Sequence, residues 1–186
     1  MDNLFKSYTD EIKGFCDNLD TKNLTLVINA LKDAYDNEKH IFVAGNGGSA
    51  ATVNHFYSDF GKNAVKKSEK KVKIISLATN VEAITAIGND INVESVFSEQ
   101  LKNLIEEGDV VFLVSASGNS PNIIKTAELA KSKRGKVIAF TGFSGGKLME
   151  LADICVNVPS DSYEQIEDIH LMLTHIIVCY FKSLDL

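Results

Sequence analysis

Five short apolar segments rich in β-branched residues alternate with helical patterns through the middle of the chain. The segments are 41–44, 72–77, 110–115, 136–141 and 154–158. Each is apolar along nearly its whole length, which is typical of strands that are covered on both faces. Helices are predicted between and around them at 49–61, 81–87, 94–106, 121–133 and 147–152. Because strands that alternate with helices form a parallel sheet, we expect a five-stranded, doubly wound α/β fold.

Helices are also predicted at both ends of this alternating region. Residues 3–19 and 22–37 each carry an apolar stripe at spacings of three and four, so the chain should begin with two amphipathic helices. The last helix, 162–184, contains "IHLMLTHIIVCYF", which is apolar nearly all round. Such a helix must be buried on every side, which a terminal helix can hardly achieve within one subunit. We therefore expect a homo-oligomer in which the first helix can join the same bundle.

The length of 186 residues suits one domain with a full hydrophobic core. We expect a single domain over 1–186, made of an N-terminal helical pair (1–38), an α/β core (39–160) and a C-terminal interface helix (161–186).

Composition narrows the classes of function. The net charge of −6 disfavours a broad nucleic-acid surface, and the basic run "KKSEKK" (66–71) is more typical of a solvated loop. Cys16, Cys155 and Cys179 lack metal-binding spacing and indicate ordinary thiols in a reducing compartment. The polar N-terminus does not resemble a signal peptide, and no apolar run approaches the length of a membrane span. We expect a cytoplasmic protein with no membrane or nucleic-acid partner.

The segment "GNGGSA" (45–50) follows a predicted strand and opens a predicted helix. In open α/β sheets, ligands bind outside the carboxyl ends of strands, and glycines let the backbone approach a ligand there. The dinucleotide fingerprint is only partly matched, because no acidic residue ends the next strand. The lysine of a P-loop is also absent. A plain turn between a strand and a helix remains an alternative for this segment alone.

A second loop, "SASGNSPNIIK" (115–125), again joins a strand to a helix. Ser115, Ser117 and Ser120 supply hydroxyl groups, and Pro121 suits the first position of a helix. Hydroxyls and helix-terminal amides without a cationic clamp suit a phosphate monoester held by neutral hydrogen bonds. A serine-rich helix cap would explain Ser120 but not all three serines.

Both loops, together with "AITAIGND" (83–90), "TGFSGGKLMELAD" (141–153) and "VPS" (158–160), resemble in order and spacing the sugar isomerase (SIS) domain family. Within it, the chain is most similar to the sedoheptulose 7-phosphate isomerases, or phosphoheptose isomerases, over about residues 5–182. The resemblance implies a three-layer, flavodoxin-like fold and a cytoplasmic homotetramer with active sites between subunits. It also implies conversion of sedoheptulose 7-phosphate to glycero-manno-heptose 7-phosphate, a step towards heptose for surface polysaccharides.

The resemblance further implies which residues contact the substrate. Expected contacts to the sugar are Asn46, Gly47, Gly48, Asn89, Asp90 and Glu167. The expected phosphate cradle is Ser115, Ala116 (through its backbone), Ser117 and Ser120.

An aldose–ketose isomerase moves a proton between adjacent carbons and needs an acid/base group near neutral pH. His55 and Asp59 are separated by four residues on one predicted helix, so they share a face. A second cluster lies on the last helix and consists of Glu167, Asp168, His170 and His175.

The spacing on the last helix separates the roles of its residues. His170 and His175 differ by about 140° around the helix axis, so they face apart. We assign His170 to packing and keep His175 as a candidate acid/base residue. From the residues alone, a structural role for His175 in the core is an equally good alternative. Glu167 and His175 are offset by roughly 12 Å and 80°, which makes joint metal ligation possible but tight. His40 precedes the first strand and is assigned a structural role.

The resemblance pairs Asp59 and His175 as the acid/base residues. It also implies one zinc ion per site, held by His55, Asp59, Glu167 and His175; two histidines and two carboxylates are a plausible zinc set. The chain departs from the family at both carboxylates, since aspartate replaces glutamate at 59 and glutamate replaces glutamine at 167. Further departures are Asn63, Asn80, Ala116, Ser162 and Gln165.

The leading hypothesis is therefore an isomerase of a phosphorylated heptose or a related ketose phosphate. The alternative is a non-catalytic SIS protein, either a phosphosugar sensor or a tetrameric scaffold, which the departures favour and the two retained histidines disfavour. A nucleotide-dependent enzyme is a weaker third possibility.

Overall fold

Five parallel strands form one sheet in the part of the chain that the computed structural model describes, which is residues 1–19, 21–184 and 186. The strands are β1 (His40–Gly45), β2 (Lys73–Ser76), β3 (Val110–Ser115), β4 (Lys136–Gly142) and β5 (Ile154–Val158). The α-helices are α1 (Asp2–Asp17), α2 (Thr21–Asp36), α3 (Gly47–Asn63), α4 (Val81–Asp90), α5 (Ser98–Lys102), α6 (Pro121–Ser132), α7 (Gly146–Leu151) and α8 (Tyr163–Ser183). A 3₁₀-helix covers Val93–Ser95.

The strand order is β2-β1-β3-β4-β5, with every neighbouring pair parallel. Helices cover both faces of the sheet, so the predicted doubly wound α/β fold is confirmed. Alternate residues of each strand point to opposite faces: Ile41 and Val43 pack on the side of α2, α3 and α8, whereas Phe42 and Ala44 pack on the side of α4 to α7. Two hydrophobic cores result, one on each face.

The predicted strand bounds agree with the structure to within one residue at each end. The structure differs from the prediction at 94–106, where a 3₁₀-turn and the short helix α5 replace one continuous helix. The Lys125 ammonium donates to Ser95 Oγ, which in turn donates to Asn92 Oδ1, and these bonds hold the tight turn. Val96 and Phe97 then enter the core between the two pieces. Tertiary packing thus overrides the helical periodicity of this segment.

The last helix, α8, buries one face within its own chain, including Ile166, Leu173 and Phe181. Its other face is exposed at Ile176 and Tyr180, so burial on every side is not achieved by this chain alone.

Helix α1 has no buried residue, and its Leu4 and Phe5 side chains are 68% and 70% exposed. Its hydrogen bonds to α8 join Tyr8 to Asp168 and Glu11 to Gln165, each at 2.6 Å. Within the described residues, no helix is both long and apolar enough to cross a membrane.

Candidate functional site

The two loops singled out in the sequence lie side by side at the carboxyl edge of the sheet. Strands β1 and β3 are neighbours, with Gly45 paired to Val114 in the register. Helix α3 leaves β1 towards one face of the sheet, and α6 leaves β3 towards the other. In doubly wound folds, this divergence opens a crevice at which ligands bind. The topology therefore predicts a ligand site between the two loops.

A pocket of about 240 Å³ occupies this crevice. Its lining residues are Asn46, Gly47, Gly48, Ser49, Ser115, Ala116, Ser117, Ser120, Tyr163 and Glu167. Eight of these are residues expected to contact the substrate. Ser49 and Tyr163 are additional. None of the ten is lysine or arginine, so an anion bound here is held by hydroxyls and amides rather than by a cation.

In the first loop, one glycine is needed for its backbone conformation and another for the close approach of α8. Gly47 has a φ of +52°, a left-handed conformation that most residues avoid. At Gly48, a β-carbon would collide with the carboxylate of Glu167. The loop and α8 are thus in direct contact because residue 48 has no side chain.

Asn46 occupies the N-cap position of α3, but its side chain makes no capping bond. Its amide instead pairs with that of Asn122, with Nδ2-to-Oδ1 distances of 2.8 Å and 3.0 Å in the two directions. This pair joins the first loop to the beginning of α6.

In the second loop, Gly118 has a φ of +61°, and its α-carbon packs against the Gly145 carbonyl so closely that a β-carbon would overlap it. The hydroxyls of Ser115 and Ser120 are 3.4 Å apart, and Ser117 Oγ accepts from the backbone N–H of Asn119. Ser120 is the N-cap of α6, yet its hydroxyl makes no capping bond. The loop therefore directs hydroxyls towards the pocket and away from helix capping.

Glu167 is the one ionisable group among the pocket-lining residues apart from the Tyr163 phenol. Burial raises the pKa of its carboxyl above the usual range, and the nearby charges of Glu164 and Asp168 raise it further. The shift favours the neutral acid next to a bound anion, because a carboxylate in the same pocket would repel a phosphate dianion.

His55, Asp59 and His175 form a second cluster on the facing sides of α3 and α8. The Nε2 atoms of the two histidines are 2.8 Å apart, and His55 Nε2 is 3.6 Å from Asp59 Oδ2. The other carboxylate oxygen, Oδ1, accepts a 3.3 Å hydrogen bond from Asn63 Nδ2. Half of the His55 side chain and about a third of Asp59 (50% and 32%) are exposed, so substrate can reach the cluster. The predicted acid/base residues thus converge within one chain.

The donor atoms of this cluster lie within 4.8 Å of one another, which suits a divalent ion held by two imidazoles and one carboxylate. Such an ion would be held by His55, Asp59 and His175 and would polarise the oxygens of a bound substrate. Glu167 does not belong to this group. Its carboxylate lies at the pocket wall against Gly48, so the structure brings together three of the four expected ligands.

The pocket and the cluster lie along the same pair of helices. Glu167 contacts Gly48 near the start of α3, and His175 contacts His55 seven residues further along that helix. The two helices therefore run parallel, and the cluster lies roughly 11 Å beyond the Gly48–Glu167 contact. A ligand that fills both sites must be elongated.

Asn89 and Asp90 lie outside this arrangement. Both are exposed in the last turn of α4, where Asn89 Nδ2 donates to Asp90 Oδ1 at 2.8 Å. Neither lines the pocket of its own chain. Their expected role as substrate contacts therefore stays a prediction, and it requires that they face the site of a second subunit.

The remaining histidines have the roles expected from the sequence. His170 is fully buried, its Nε2 lies 3.0 Å from the Thr141 carbonyl oxygen, and burial lowers its pKa to about 4. The backbone N–H of His40 donates to Oδ1 of Asp109, a buried residue that directly precedes β3.

Most of the departures from the family have local partners. Asn80 caps α4 by accepting from the Ala83 N–H, and Ser162 caps α8 by accepting from Gln165 N–H. Gln165 Nε2 donates to Glu11, while its Oε1 accepts from Ser160.

Three site residues were missed by the sequence analysis. Ser49 directly follows the glycines of the first loop. Its position in the first turn of a helix that follows a strand could have indicated a ligand contact. Tyr163 and Asn122 had no spacing signal, because their positions depend on the contact of α8 with the loops and on the register of β1 against β3.

Comparison with known proteins is in keeping with this geometry. Residues 7–142 match the SIS domain family. The phosphoheptose isomerase of Helicobacter hepaticus is 38% identical over 162 residues, which are 87% of this chain and 80% of that protein. A probable phosphoheptose isomerase of Thermoplasma acidophilum is 38% identical over 172 residues, 92% of this chain and 94% of the relative. The solved structure of phosphoheptose isomerase from Neisseria gonorrhoeae has a TM-score of 0.89 at 29% identity and covers 98% of both chains.

Proposed function

The chain belongs to the SIS-domain family, among the phosphoheptose isomerases, and from this premise we propose that it interconverts sedoheptulose 7-phosphate and glycero-manno-heptose 7-phosphate. One observation carries the proposal: a hydroxyl-lined anion pocket and a His/Asp cluster lie along the same pair of helices, with the cluster roughly 11 Å beyond the Gly48–Glu167 contact at the pocket wall.

A ligand that reaches from the second loop past this contact to the cluster must be long, as a heptose 7-phosphate is. An extended carbon chain advances roughly 1.25 Å per bond, so the phosphorus of a heptose 7-phosphate lies about 9–10 Å from C2 and C1. A five-carbon ketose phosphate is shorter by two bonds and reaches less far from the second loop towards the cluster. We therefore propose that the long heptose phosphate lies with its phosphate on the second loop and with C1 and C2 at the cluster.

The phosphate is held by the second loop. In this proposal the hydroxyls of Ser115, Ser117 and Ser120, which line the pocket, donate to its oxygens, and the phosphate lies at the start of α6. Asn46 and Glu167 face the carbon skeleton between the phosphate and the cluster. They bind its hydroxyls and orient the chain towards α8.

Asp59 removes a proton from C1 of the ketose and returns it to C2 of the enediol, which gives the aldose. Asn63 holds Oδ1 of this carboxylate, so Oδ2 is the oxygen that faces the cluster. His175 moves the accompanying proton between the oxygens on C1 and C2. The aspartate reaches one methylene less far than glutamate, and the Asn63 bond keeps that shorter side chain in a fixed direction.

We propose that zinc is the metal, held by His55, Asp59 and His175, since a set of two imidazoles and a carboxylate is typical of catalytic zinc with an open position. The ion supplies polarisation of the substrate oxygens when it is bound. Glu167 remains a proposed fourth ligand that would need to turn away from Gly48.

The proposal includes a homotetramer. The exposed apolar faces of α1 and α8, at Phe5, Ile176 and Tyr180, are where subunits would meet. Asn89 and Asp90 would then complete the site of a neighbour. We further propose a cytoplasmic enzyme that supplies heptose for surface polysaccharides.

The test is incubation of purified protein with sedoheptulose 7-phosphate and zinc, with the aldose phosphate detected by NMR. We expect turnover by the wild type, loss of turnover in Asp59→Asn, and full turnover in the control Asp36→Asn, which alters an exposed carboxylate on α2. Absence of turnover with seven-, six- and five-carbon ketose phosphates would refute the enzyme.

A non-catalytic sensor is the alternative. Metal analysis separates the two, since a binding protein has no use for the converging histidines. Stoichiometric metal supports the isomerase, and its absence at saturating zinc supports the sensor.

A further inference from the structure

We propose that Asn122 is a positioning residue that fixes the side-chain amide of Asn46 and so ties the sugar loop to the phosphate loop. This inference rests on the proposed function, because it concerns how the same site holds its substrate.

The two amides form a closed pair. Asn46 Nδ2 donates to Asn122 Oδ1 at 2.8 Å, and Asn122 Nδ2 donates back to Asn46 Oδ1 at 3.0 Å. Each amide therefore uses one N–H and one lone pair on the other. Asn46 retains a second N–H and a second lone pair in a fixed orientation at the pocket wall. These are the groups that it can offer to a sugar hydroxyl.

The pairing replaces the role that asparagine usually has at this position. At a helix N-cap, the asparagine oxygen normally accepts from an N–H of the first turn. Asn80 does this at α4, where it accepts from Ala83 N–H at 2.9 Å. Asn46 occupies the same position of α3 and forms no such bond. Because the Asn46 amide pairs with Asn122, it does not cap α3. The backbone N–H groups in the first turn of α3 therefore stay free for a ligand.

Asn122 is itself held firmly. It follows Pro121 at the start of α6, it is 8% exposed, and its backbone carbonyl accepts a 2.6 Å hydrogen bond from Thr126 Oγ1. Asn46, by contrast, is exposed on its loop. The buried member, Asn122, therefore positions the exposed member, Asn46.

Asn46 lines both the sugar pocket and a second cavity, and Asn122 lines the second cavity. This second cavity is largely apolar, has a volume of about 470 Å³, and is also lined by Ala50, Ile84 and Phe97. Without Asn122, the Asn46 side chain has two other places to go: the cap of α3, or the space of this cavity. In either case its free N–H leaves the sugar pocket.

The experiment is a double-mutant cycle with Asn46→Ala, Asn122→Ala and the double variant, measured with sedoheptulose 7-phosphate. We expect Asn122→Ala to lower kcat/KM about tenfold, the size of an effect from one or two lost hydrogen bonds. In the Asn46→Ala background, Asn122→Ala should change kcat/KM by less than about twofold. Independent, additive effects of the two substitutions would overturn the proposal.

A second readout separates positioning from damage to the phosphate loop. Competitive inhibition by inorganic phosphate should be unchanged in Asn122→Ala, because Ser115, Ser117 and Ser120 are untouched. A loss of phosphate affinity in step with kcat/KM would show that Asn122 only supports that loop. Asn103→Ala, which removes an exposed amide at the end of α5, is the matched control and should retain full activity.

Two further measurements apply if Asn122→Ala does not fold or if the wild type shows no turnover. If Asn122→Ala does not fold, Asn122→Ser keeps a small polar side chain without a charge and breaks the closed pair, and its effect should again vanish in the Asn46→Ala background. If the wild type shows no turnover, the proposed function fails, and exchange of the Asn46 side-chain amide protons decides the inference. Exchange should be about tenfold faster in the Asn122 variant, and an unchanged rate would overturn the pair's role.

Discussion

Acidification should destabilise the protein through His170, a residue that the proposed reaction does not use. The side chain is fully buried between α8 and β4. Its Nε2 lies 3.0 Å from the Thr141 carbonyl oxygen and its Nδ1 has no partner among the described residues. The carbonyl can accept only from a protonated Nε2, so Nδ1 carries the lone pair. A second proton would place a charge in a buried site with nothing to accept from it.

The magnitude follows from linkage. Burial lowers the pKa of His170 from its ordinary 6.5 to about 4 in the folded protein, against a small opposing effect of the Thr141 carbonyl. Between these values, the unfolded chain binds a proton that the folded protein does not, so stability is lost as the pH falls from 6.5 towards 4. From pH 7.5 to pH 5, the free energy of unfolding should drop by about 2 kcal/mol on account of this group.

The assay is urea unfolding at fixed protein concentration, at pH 7.5 and pH 5, for the wild type and His170→Gln. Glutamine can donate a similar hydrogen bond to Thr141 but does not titrate. Its smaller side chain leaves the Phe140 ring less well packed, which lowers stability equally at both pH values. We expect the pH-dependent loss to be smaller in the variant by about 2 kcal/mol. Equal losses in the two proteins would refute the reasoning, because other titrating groups are common to both.

Three other predictions concern the site and the assembly. Gly48→Ala places a methyl group where the Glu167 carboxylate lies, so we expect the carboxylate to leave the pocket. Sedoheptulose 7-phosphate should then bind more weakly when its affinity is measured by calorimetry, and an unchanged affinity would contradict this. Phe5→Glu puts a charge on the exposed face of α1 and should yield a smaller particle in analytical ultracentrifugation, whereas a wild-type monomer would rule out the interface. Chelation should remove one equivalent of zinc per chain together with the activity, and zinc should restore both; a fully active metal-free protein would exclude a role for His55 and His175 as ligands.

The sheet and its two loops were predictable from the sequence because local patterns determine them. Continuous apolar segments such as 110–115 specify buried strands, and glycine or serine clusters after them mark the carboxyl edge. The pairing of His55 with Asp59 followed from helical spacing alone. Their convergence with His175 depended on the resemblance, since no local signal indicates that α3 and α8 run side by side.

The features that escaped prediction depend on contacts between distant parts of the chain. The break at 96–97 is imposed by the bonds of Ser95 to α6 and by two core side chains. The resemblance implied Glu167 as a metal ligand with His175, which helical geometry made possible but tight, and its carboxylate instead lies at the pocket wall against Gly48. The Asn46–Asn122 pair joins residues 76 positions apart and has no periodic signature.

A crystal structure with a bound heptose phosphate tests the central claim most directly. The account predicts the phosphate on the hydroxyls of Ser115, Ser117 and Ser120, with C1 and C2 between Asp59 and His175 some 9–10 Å away. A phosphate bound elsewhere, or a carbon skeleton directed away from α8, would contradict it.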